Sequence, residues 1–173
     1  ERFAEPAAPG ALDAPEGVQW AVAIPAFDEG AECLETLASL TEVRGAERAV
    51  VIVVVNAPED AAPQALARNA ALLEALWSRL EAPPGPIAWG TFWGTTLCVL
   101  DHSSPGRRLP EGQGVGLARK LAMDLALRWY VNGTLRSPWV ACTDADVALP
   151  AGYLQALPDD DARASAAVSY THL

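Results

Sequence analysis

The sequence predicts an α/β domain with a mostly parallel sheet and helices on both of its faces. Two observations lead to this prediction. Apolar runs that suit strands alternate along the chain with segments whose apolar residues recur at helical spacing. The strand-like runs are also continuously apolar, which is typical of parallel strands that are covered on both faces. The carboxyl ends of such strands are expected to meet at one edge of the sheet.

The first half of the chain contains two predicted strand–helix units. Residues 18–24 form an apolar run that ends at Pro25, and a helix is predicted over residues 29–43. Residues 49–55 consist almost entirely of valine and isoleucine, which favours a strand. The second helix is predicted over residues 63–81, because it begins with a proline and then repeats leucine at helical spacing.

The second half continues the alternation after a connection rich in tryptophan and glycine. Its predicted elements are a strand over residues 96–100, a turn-rich loop over 103–114, a helix over 115–131, a strand over 138–143, a short helix over 150–157 and a fifth strand over 165–169.

Length and composition predict a single globular domain. The chain has 173 residues, of which 51% are hydrophobic. Residues 1–17 are rich in alanine, proline and glycine and are expected to form a flexible segment, which leaves residues 18–173 as the folded domain. Residues 168–173 resemble a translated sequencing-adapter remnant. We therefore expect the domain to be truncated at its C-terminus.

The charge and the cysteines exclude several classes of protein. A formal net charge of -10 argues against nucleic-acid binding and against a general attraction to anionic membranes. No apolar run approaches the length of about 20 residues that a membrane span needs. The three cysteines form no CxxC pair, so buried free thiols are expected. Such thiols suit a cytoplasmic location.

Two carboxylates one residue apart, Asp144 and Asp146, follow the predicted strand over residues 138–143. Ligands of open α/β sheets bind at the carboxyl ends of strands. Two acids so close resist ionising together unless a cation lies between them, and a hard divalent cation with bound phosphates would meet that need. A second pair, Asp159 and Asp161, lies in a predicted acidic turn, so the strand-end position distinguishes the first pair.

Other predicted strand ends also carry distinctive residues, at positions 25–29, at Asn56 and at Asp101 with His102. For Asp101 we favour the role of a loop cap. A glycine-rich entry into the third helix precedes Arg119, whose guanidinium suits phosphate. A dinucleotide-binding turn would follow a strand directly, whereas about a dozen residues separate the predicted strand from these glycines.

Three segments together resemble the family 2 glycosyltransferases, enzymes with the single-domain, Rossmann-like GT-A fold. Residues 23–29 (AIPAFDE) resemble the IPAYNE opening of that family, and residues 112–120 (GQGVGLARK) resemble its G-x-x-x-ARN segment. Residues 144–146 (DAD) resemble its metal-binding DxD motif. The order and spacing of the three match across residues 18–157.

The resemblance implies a nucleotide-diphosphate sugar donor and Mn²⁺ or Mg²⁺, with an acceptor that the sequence leaves undefined. The implied donor-site residues are Pro25, Phe27, Glu29, Asn56, Arg119 and Asp144, and the implied metal residues are Asp144 and Asp146. Many relatives have paired aspartates where this chain has Asn56; an asparagine can still donate to and accept from a base. Relatives supply a catalytic base beyond the DxD motif, and we assign none here.

Two other functions remain open on the sequence. A non-catalytic or truncated nucleotide-binding domain would use the same residues without transferring a sugar. A phosphatase could use Asp144 as a nucleophile. That signature prefers threonine or valine where this chain has Ala148, and it needs downstream motifs for which no room remains. Trp89 and Trp93 are open candidates for stacking against a sugar.

Overall fold

The computed structural model describes residues 17–157, which form a five-stranded sheet with helices on both faces. The predicted α/β class is confirmed. The strands are β1 (Trp20–Ala26), β2 (Ala49–Asn56), β3 (Ile87–Phe92), β4 (Thr95–His102) and β5 (Val140–Cys142). The helices are α1 (Ala31–Ser39), α2 (Pro63–Arg79) and α3 (Val115–Val131), with 3-10 turns at Leu40–Glu42, Ala46–Arg48 and Leu154–Ala156.

The sheet is parallel except for one edge strand. Its order is β3-β4-β2-β1-β5, and β1, β2, β4 and β5 all run in the same direction. Strand β3 pairs antiparallel with β4. Every residue of β2 is buried, which explains its run of valines.

The two faces of the sheet have separate hydrophobic cores. On one face, alternate residues of the central strands pack with α1 and α2 through side chains such as Leu37 and Leu76. On the other face, the intervening residues pack against α3, where Ala126 and Trp129 are fully buried. The burial of both faces accounts for the continuous apolar runs in the sequence.

Strand β3 occupies a region for which the sequence predicts a connection and no strand. Strands β3 and β4 form a hairpin whose two turn residues, Trp93 and Gly94, both have positive φ angles of 47° and 86°. Paired positive φ angles are normal in two-residue hairpins, but a tryptophan is an unusual residue there. Gly90 further obscured the strand; a Cβ at this position would lie 2.9 Å from Leu80 Cβ.

Strand β1 continues through Pro25, where the sequence analysis ended it. Ala23 accepts a hydrogen bond from Thr143 N–H at 3.1 Å, so Ala23 faces β5. Pro25, two residues later, faces the same side. Because the last paired residue of β5, Cys142, lies opposite Ala23, no β5 partner requires the N–H that proline lacks.

The remaining boundaries agree in part with the predictions. Helix α3 has the predicted bounds, whereas α1 ends at Ser39 and continues only as a 3-10 turn. The helix predicted over residues 150–157 is limited to the 3-10 turn Leu154–Ala156. The predicted strand over 165–169 lies outside the described residues, as do residues 1–16 and the acidic pair Asp159 and Asp161. Within residues 17–157, no helix combines the length and apolar character needed to cross a membrane.

Candidate functional site

The loops after the parallel strands meet at one edge of the sheet, which we call the carboxyl edge. It comprises residues 27–32, 56–58, 102–108 and 143–149. Strand β5 ends opposite Ala23, while β1 continues to Ala26. The residues that follow β5 therefore lie beside the last three residues of β1. This stagger brings the two predicted acids, Asp144 and Asp146, next to the loop that follows β1.

Arg119 joins the start of α3 to the loop after β5. Its Nη2 donates a hydrogen bond to Asp144 Oδ1, and the two side chains are 29% and 49% exposed, respectively. Arg119 Nε is buried and makes no hydrogen bond with any of the residues 17–157. The bond to Asp144 fixes the direction of the guanidinium and uses one of its five N–H donors, so the group can still donate to an anion through its exposed end.

Glu29 and Asp146 lie close enough to repel each other. Burial and then the negative charge of Asp146 raise the pKa of Glu29; Glu32 and Asp28 act in the same direction, and Arg68 opposes them. Asp146 is exposed and Glu29 is half-buried, so solvent reaches both. A cation between the two carboxylates would relieve the repulsion.

This half of the carboxyl edge carries more acids than cations. Among residues 17–157, its acids are Asp28, Glu29, Glu32, Asp144 and Asp146, and the cations in contact with them are Arg68 and Arg119. A diphosphate could bind beside so many carboxylates only if further positive charge accompanied it. The acidic excess therefore fits a ligand that arrives together with a metal ion.

The donor set fits an open metal site rather than a closed cage. Among the residues that the structure describes, no three histidine, cysteine or carboxylate side chains are grouped to hold a metal. Mg²⁺ commonly binds through one or two carboxylates, with phosphate oxygens and waters as its other ligands. Asp146, with Asp144 or Glu29 beside it, meets that requirement.

The loop that carries Asp144 and Asp146 is anchored to α1. Thr36 Oγ1 donates to the carbonyl of Ala145 at 2.8 Å, and Leu149 N–H donates to Ser39 Oγ at 2.9 Å. Ala145 is buried, whereas the acids on either side of it are exposed. The anchored loop therefore presents both carboxylates outward.

The loop after β1 depends on two residues of α2 that the sequence analysis missed, Arg68 and Asn69. Asp28 has a φ of 60°, and its N–H donates to Asn69 Oδ1 at 2.9 Å. Arg68 Nη1 lies 3.4 Å from Asp28 Oδ1, and Arg68 Nη2 lies 3.8 Å from Glu32 Oε2. Asn69 could have been found from the sequence, because it lies on the buried side of a leucine-rich helix and a buried amide needs hydrogen-bond partners.

The predicted donor-site residues differ in accessibility. Phe27 and Glu29 are half-buried at the carboxyl edge, while Pro25 and Asn56 are buried within their strands. When the side-chain amide of Asn56 is turned so that its oxygen and nitrogen exchange places, its nitrogen can donate to the carbonyls of Val54 and Ala26, each at 3.3 Å. Its side chain thus serves the backbone of two neighbouring strands.

Asp101 makes a self-contained loop cap after β4. Its Oδ1 accepts hydrogen bonds from Ser103 N–H at 3.0 Å and Ser104 N–H at 2.9 Å, and its Oδ2 accepts one from Arg107 at 2.7 Å. Burial alone would raise the pKa of Asp101, but these hydrogen bonds from Ser104, Ser103 and Arg107 outweigh it and lower the pKa. The predicted capping role is confirmed.

Two of the three cysteines and the two open tryptophans lie apart from this chemistry or within the core. The third, Cys142, is half-buried at the end of β5 and lies beside Arg119, so the prediction of buried thiols fails for it. Cys33 and Cys98 are buried free thiols, and burial raises the pKa of Cys33 to about 12. Trp89 packs on Trp129 at a ring distance of 5.4 Å. Trp93 is 60% exposed, but it lies in the hairpin before β4, at the opposite edge of the sheet from the carboxyl edge.

No protein-family model, curated protein or solved structure matches the chain at the significance required of a relative. The resemblance to family 2 glycosyltransferases therefore stays a prediction. A function can be inferred only from the geometry of residues 17–157.

Proposed function

We propose that this chain is the donor-binding part of a metal-dependent glycosyltransferase of the GT-A type, similar to family 2. The observation that supports the proposal is the meeting of three segments that are far apart in sequence. Arg119, at the start of α3, is bonded to Asp144 after β5, and Asp146 acts on Glu29 after β1. These are the three segments that resemble the family's motifs.

Each accessible residue has a role in holding a nucleotide-diphosphate sugar. Phe27 offers an aromatic face to the base, and the Glu29 carboxylate can accept hydrogen bonds from ribose hydroxyls. Arg119, held in place by Asp144, donates to a phosphate oxygen. Asp146 would be the principal protein ligand for Mn²⁺ or Mg²⁺, and the bound ion would supply Lewis acidity toward the diphosphate.

The reaction follows from charge. An acceptor hydroxyl forms a bond to the anomeric carbon, the bond from that carbon to the phosphate oxygen breaks, and the hydroxyl proton passes to a base. The leaving nucleoside diphosphate gains negative charge, which Arg119 stabilises without reorganising because Asp144 already orients it. We assign the base to no residue of the chain.

Calorimetric titration of UDP and of GDP, each with and without Mn²⁺, tests the proposal. We expect one of the two nucleotides to bind and its affinity to require the metal. A chain that circular dichroism shows to be folded but that binds neither nucleotide would contradict the proposal.

Two activity assays then separate the related classes. Slow hydrolysis of the matching nucleotide sugar in the absence of acceptor indicates an active transferase site, whereas nucleotide binding without hydrolysis indicates a binding domain. Hydrolysis of p-nitrophenyl phosphate that is lost in Asp144→Asn would instead indicate a phosphatase with Asp144 as nucleophile.

A further inference from the structure

One buried side chain, Asn69 of α2, ties three loops of the carboxyl edge together. Its Oδ1 accepts the hydrogen bond from Asp28 N–H, and its Nδ2 donates to the carbonyl of Asn56 at 2.9 Å and to Ser103 Oγ at 3.0 Å. These three partners belong to the loops or strand ends of β1, β2 and β4, respectively. Asn69 is 0% exposed, so water does not compete for the bonds.

The Asp28 contact holds a backbone conformation that the residue would not choose by itself. A φ of 60° is uncommon for a residue with a side chain, although aspartate tolerates it better than most. Such conformations persist where surrounding contacts determine them, and they concentrate at functional sites. Here the determining contacts are Asn69 at the backbone and Arg68 at the carboxylate.

We propose that Asn69 is a positioning residue that sets the conformation of residues 27–30 and thereby presents Phe27 and Glu29 to the nucleotide. The part that concerns the nucleotide rests on the proposed function. Asn69 does not touch the ligand; it acts through Asp28, which lies between the two presented residues.

An asparagine satisfies all three bonds at once, whereas the bond to Asp28 needs only a side-chain acceptor. One partner is a donor, one is a carbonyl acceptor and one is a hydroxyl, and a primary amide supplies one acceptor and two donor hydrogens from a single planar group. Aspartate keeps the acceptor for Asp28 but loses the amide donors. An apolar replacement removes the hydrogen-bond partner of all three groups, including that of the buried carbonyl of Asn56.

The neighbouring loop after β5 provides a matched control. There, Ser39 Oγ accepts a hydrogen bond from Leu149 N–H, just as Asn69 Oδ1 accepts one from Asp28 N–H. Both bonds join a helix side chain to the backbone of a distant loop at the carboxyl edge. Replacing each acceptor should affect its own loop and leave the other unchanged.

The test is amide hydrogen exchange by NMR in the full chain, for wild type, Asn69→Ala, Asn69→Asp and Ser39→Ala. We expect exchange at Asp28 to accelerate about tenfold or more in Asn69→Ala, and exchange at Leu149 to accelerate only in Ser39→Ala. Asn69→Asp should keep slow exchange at Asp28. If Asn69→Ala does not fold, Asn69→Ser replaces it with the same expectation.

Exchange at Asp28 that is unchanged in Asn69→Ala, or that accelerates equally with exchange at Leu149, would overturn the positioning role. Titration of UDP and GDP with Mn²⁺ addresses the link to the nucleotide, for which we expect about tenfold weaker binding in Asn69→Ala and recovery in Asn69→Asp. Equal binding by wild type and Asn69→Ala would overturn that link. Absence of binding by wild type would count against the proposed function, while the exchange at Asp28 would still decide the role of Asn69 in the loop.

Discussion

Two strand ends at the carboxyl edge, those of β4 and β5, carry aspartates in opposite circumstances. Near the end of β4, Asp101 is buried, and three hydrogen bonds from the loop that follows satisfy its oxygens. After β5, Asp144 and Asp146 are exposed, and Asp146 acts unfavourably on Glu29. The two sites share an edge of the sheet and a residue type. The protein neutralises Asp101 within its own loop, whereas Asp144 pairs with Arg119 at a partly exposed position and Asp146 is left to solvent.

This difference separates an acid that holds the fold from acids that are available to a ligand. Asp101 has a lowered pKa because the folded protein stabilises its charge, and that stabilisation contributes to folding. Glu29, next to Asp146, has a raised pKa because the folded protein disfavours its charge. An uncompensated charge of this kind at a strand end is typical of functional sites.

The largest expected effect is the loss of nucleotide binding when Asp146, one of the exposed pair, is replaced. Asp146→Ala should abolish Mn²⁺-dependent nucleotide binding and leave the melting temperature unchanged, because its side chain is exposed. Calorimetric titration and thermal unfolding measure the two quantities. Asp124→Ala is the matched control, since Asp124 is an exposed aspartate that pairs with Lys120 on α3. If Asp146→Ala lost stability but retained nucleotide binding, Asp146 would be an acid that stabilises the fold and not one that binds the ligand.

Asp101→Ala should show the opposite pattern. Removing the carboxylate deprives Ser103 N–H, Ser104 N–H and Arg107 of their acceptor, and we expect a loss of about 2 kcal/mol in the free energy of unfolding. Urea unfolding measures it. The stability difference from wild type should be full above pH 3.8, the ordinary pKa, and should decline as the pH falls through the lowered pKa of the folded state. A difference that grows on acidification would contradict this assignment.

A smaller effect is expected for Arg119→Gln, which weakens phosphate binding without removing the metal ligands. We expect about tenfold lower nucleotide affinity, the scale of one charge-assisted hydrogen bond. Titration with a nucleoside alongside the nucleotide shows whether the loss belongs to the phosphates. Arg128→Gln, an exposed arginine on the same helix, should bind normally. Equal affinities for both variants would remove Arg119 from the site.

The smallest effect is the pH dependence of Glu29→Gln. The raised pKa means that wild type loses stability as the pH rises from 4.5 through the pKa of the folded state, whereas the variant does not. Above that window the variant should be more stable by a few tenths of a kcal/mol, the usual scale for partly exposed charges, and below pH 4.5 the two should be equal. Thermal unfolding across this pH range measures the gap, and a less stable variant at neutral pH would contradict the raised pKa of Glu29, to which burial contributes most and Asp146 next.

Most of the fold could be predicted from the sequence because periodicity reports burial directly. The valine run of β2 and the helical spacing of α3 each reflect one dominant environment, and both elements were located correctly. Strand β3 was not predicted because two residues of its hairpin are atypical for their positions. Gly90 is required by the close approach of Leu80, and Trp93 occupies a turn position that asparagine or glycine usually fills.

The candidate site was predictable only where its residues follow strands. Asp144 and Asp146 stand at the end of an apolar run, so their position could be inferred before the structure was known. Arg68 and Asn69 lie in the middle of a helix and reach the carboxyl edge through tertiary packing that periodicity does not encode. Asn56 appeared at the correct strand end, but its burial depends on neighbouring strands and could not be derived from its own segment.

Paramagnetic line broadening by Mn²⁺ in the presence of UDP or GDP tests the central claim most directly. It distinguishes three aspartate sites in one experiment: the pair after β5, the buried Asp101 and the second sequence pair, Asp159 and Asp161. We expect substoichiometric Mn²⁺ to broaden the amide signals of Asp144, Asp146 and Glu29 first. The signals of Ser103 and Ser104, which Asn69 connects to Asp28, should broaden at higher Mn²⁺, and those of Trp93 and Gly94 at the opposite edge of the sheet should stay sharp. Broadening centred on Asp159 and Asp161, or on no particular segment, would contradict a metal-dependent ligand site at the carboxyl edge.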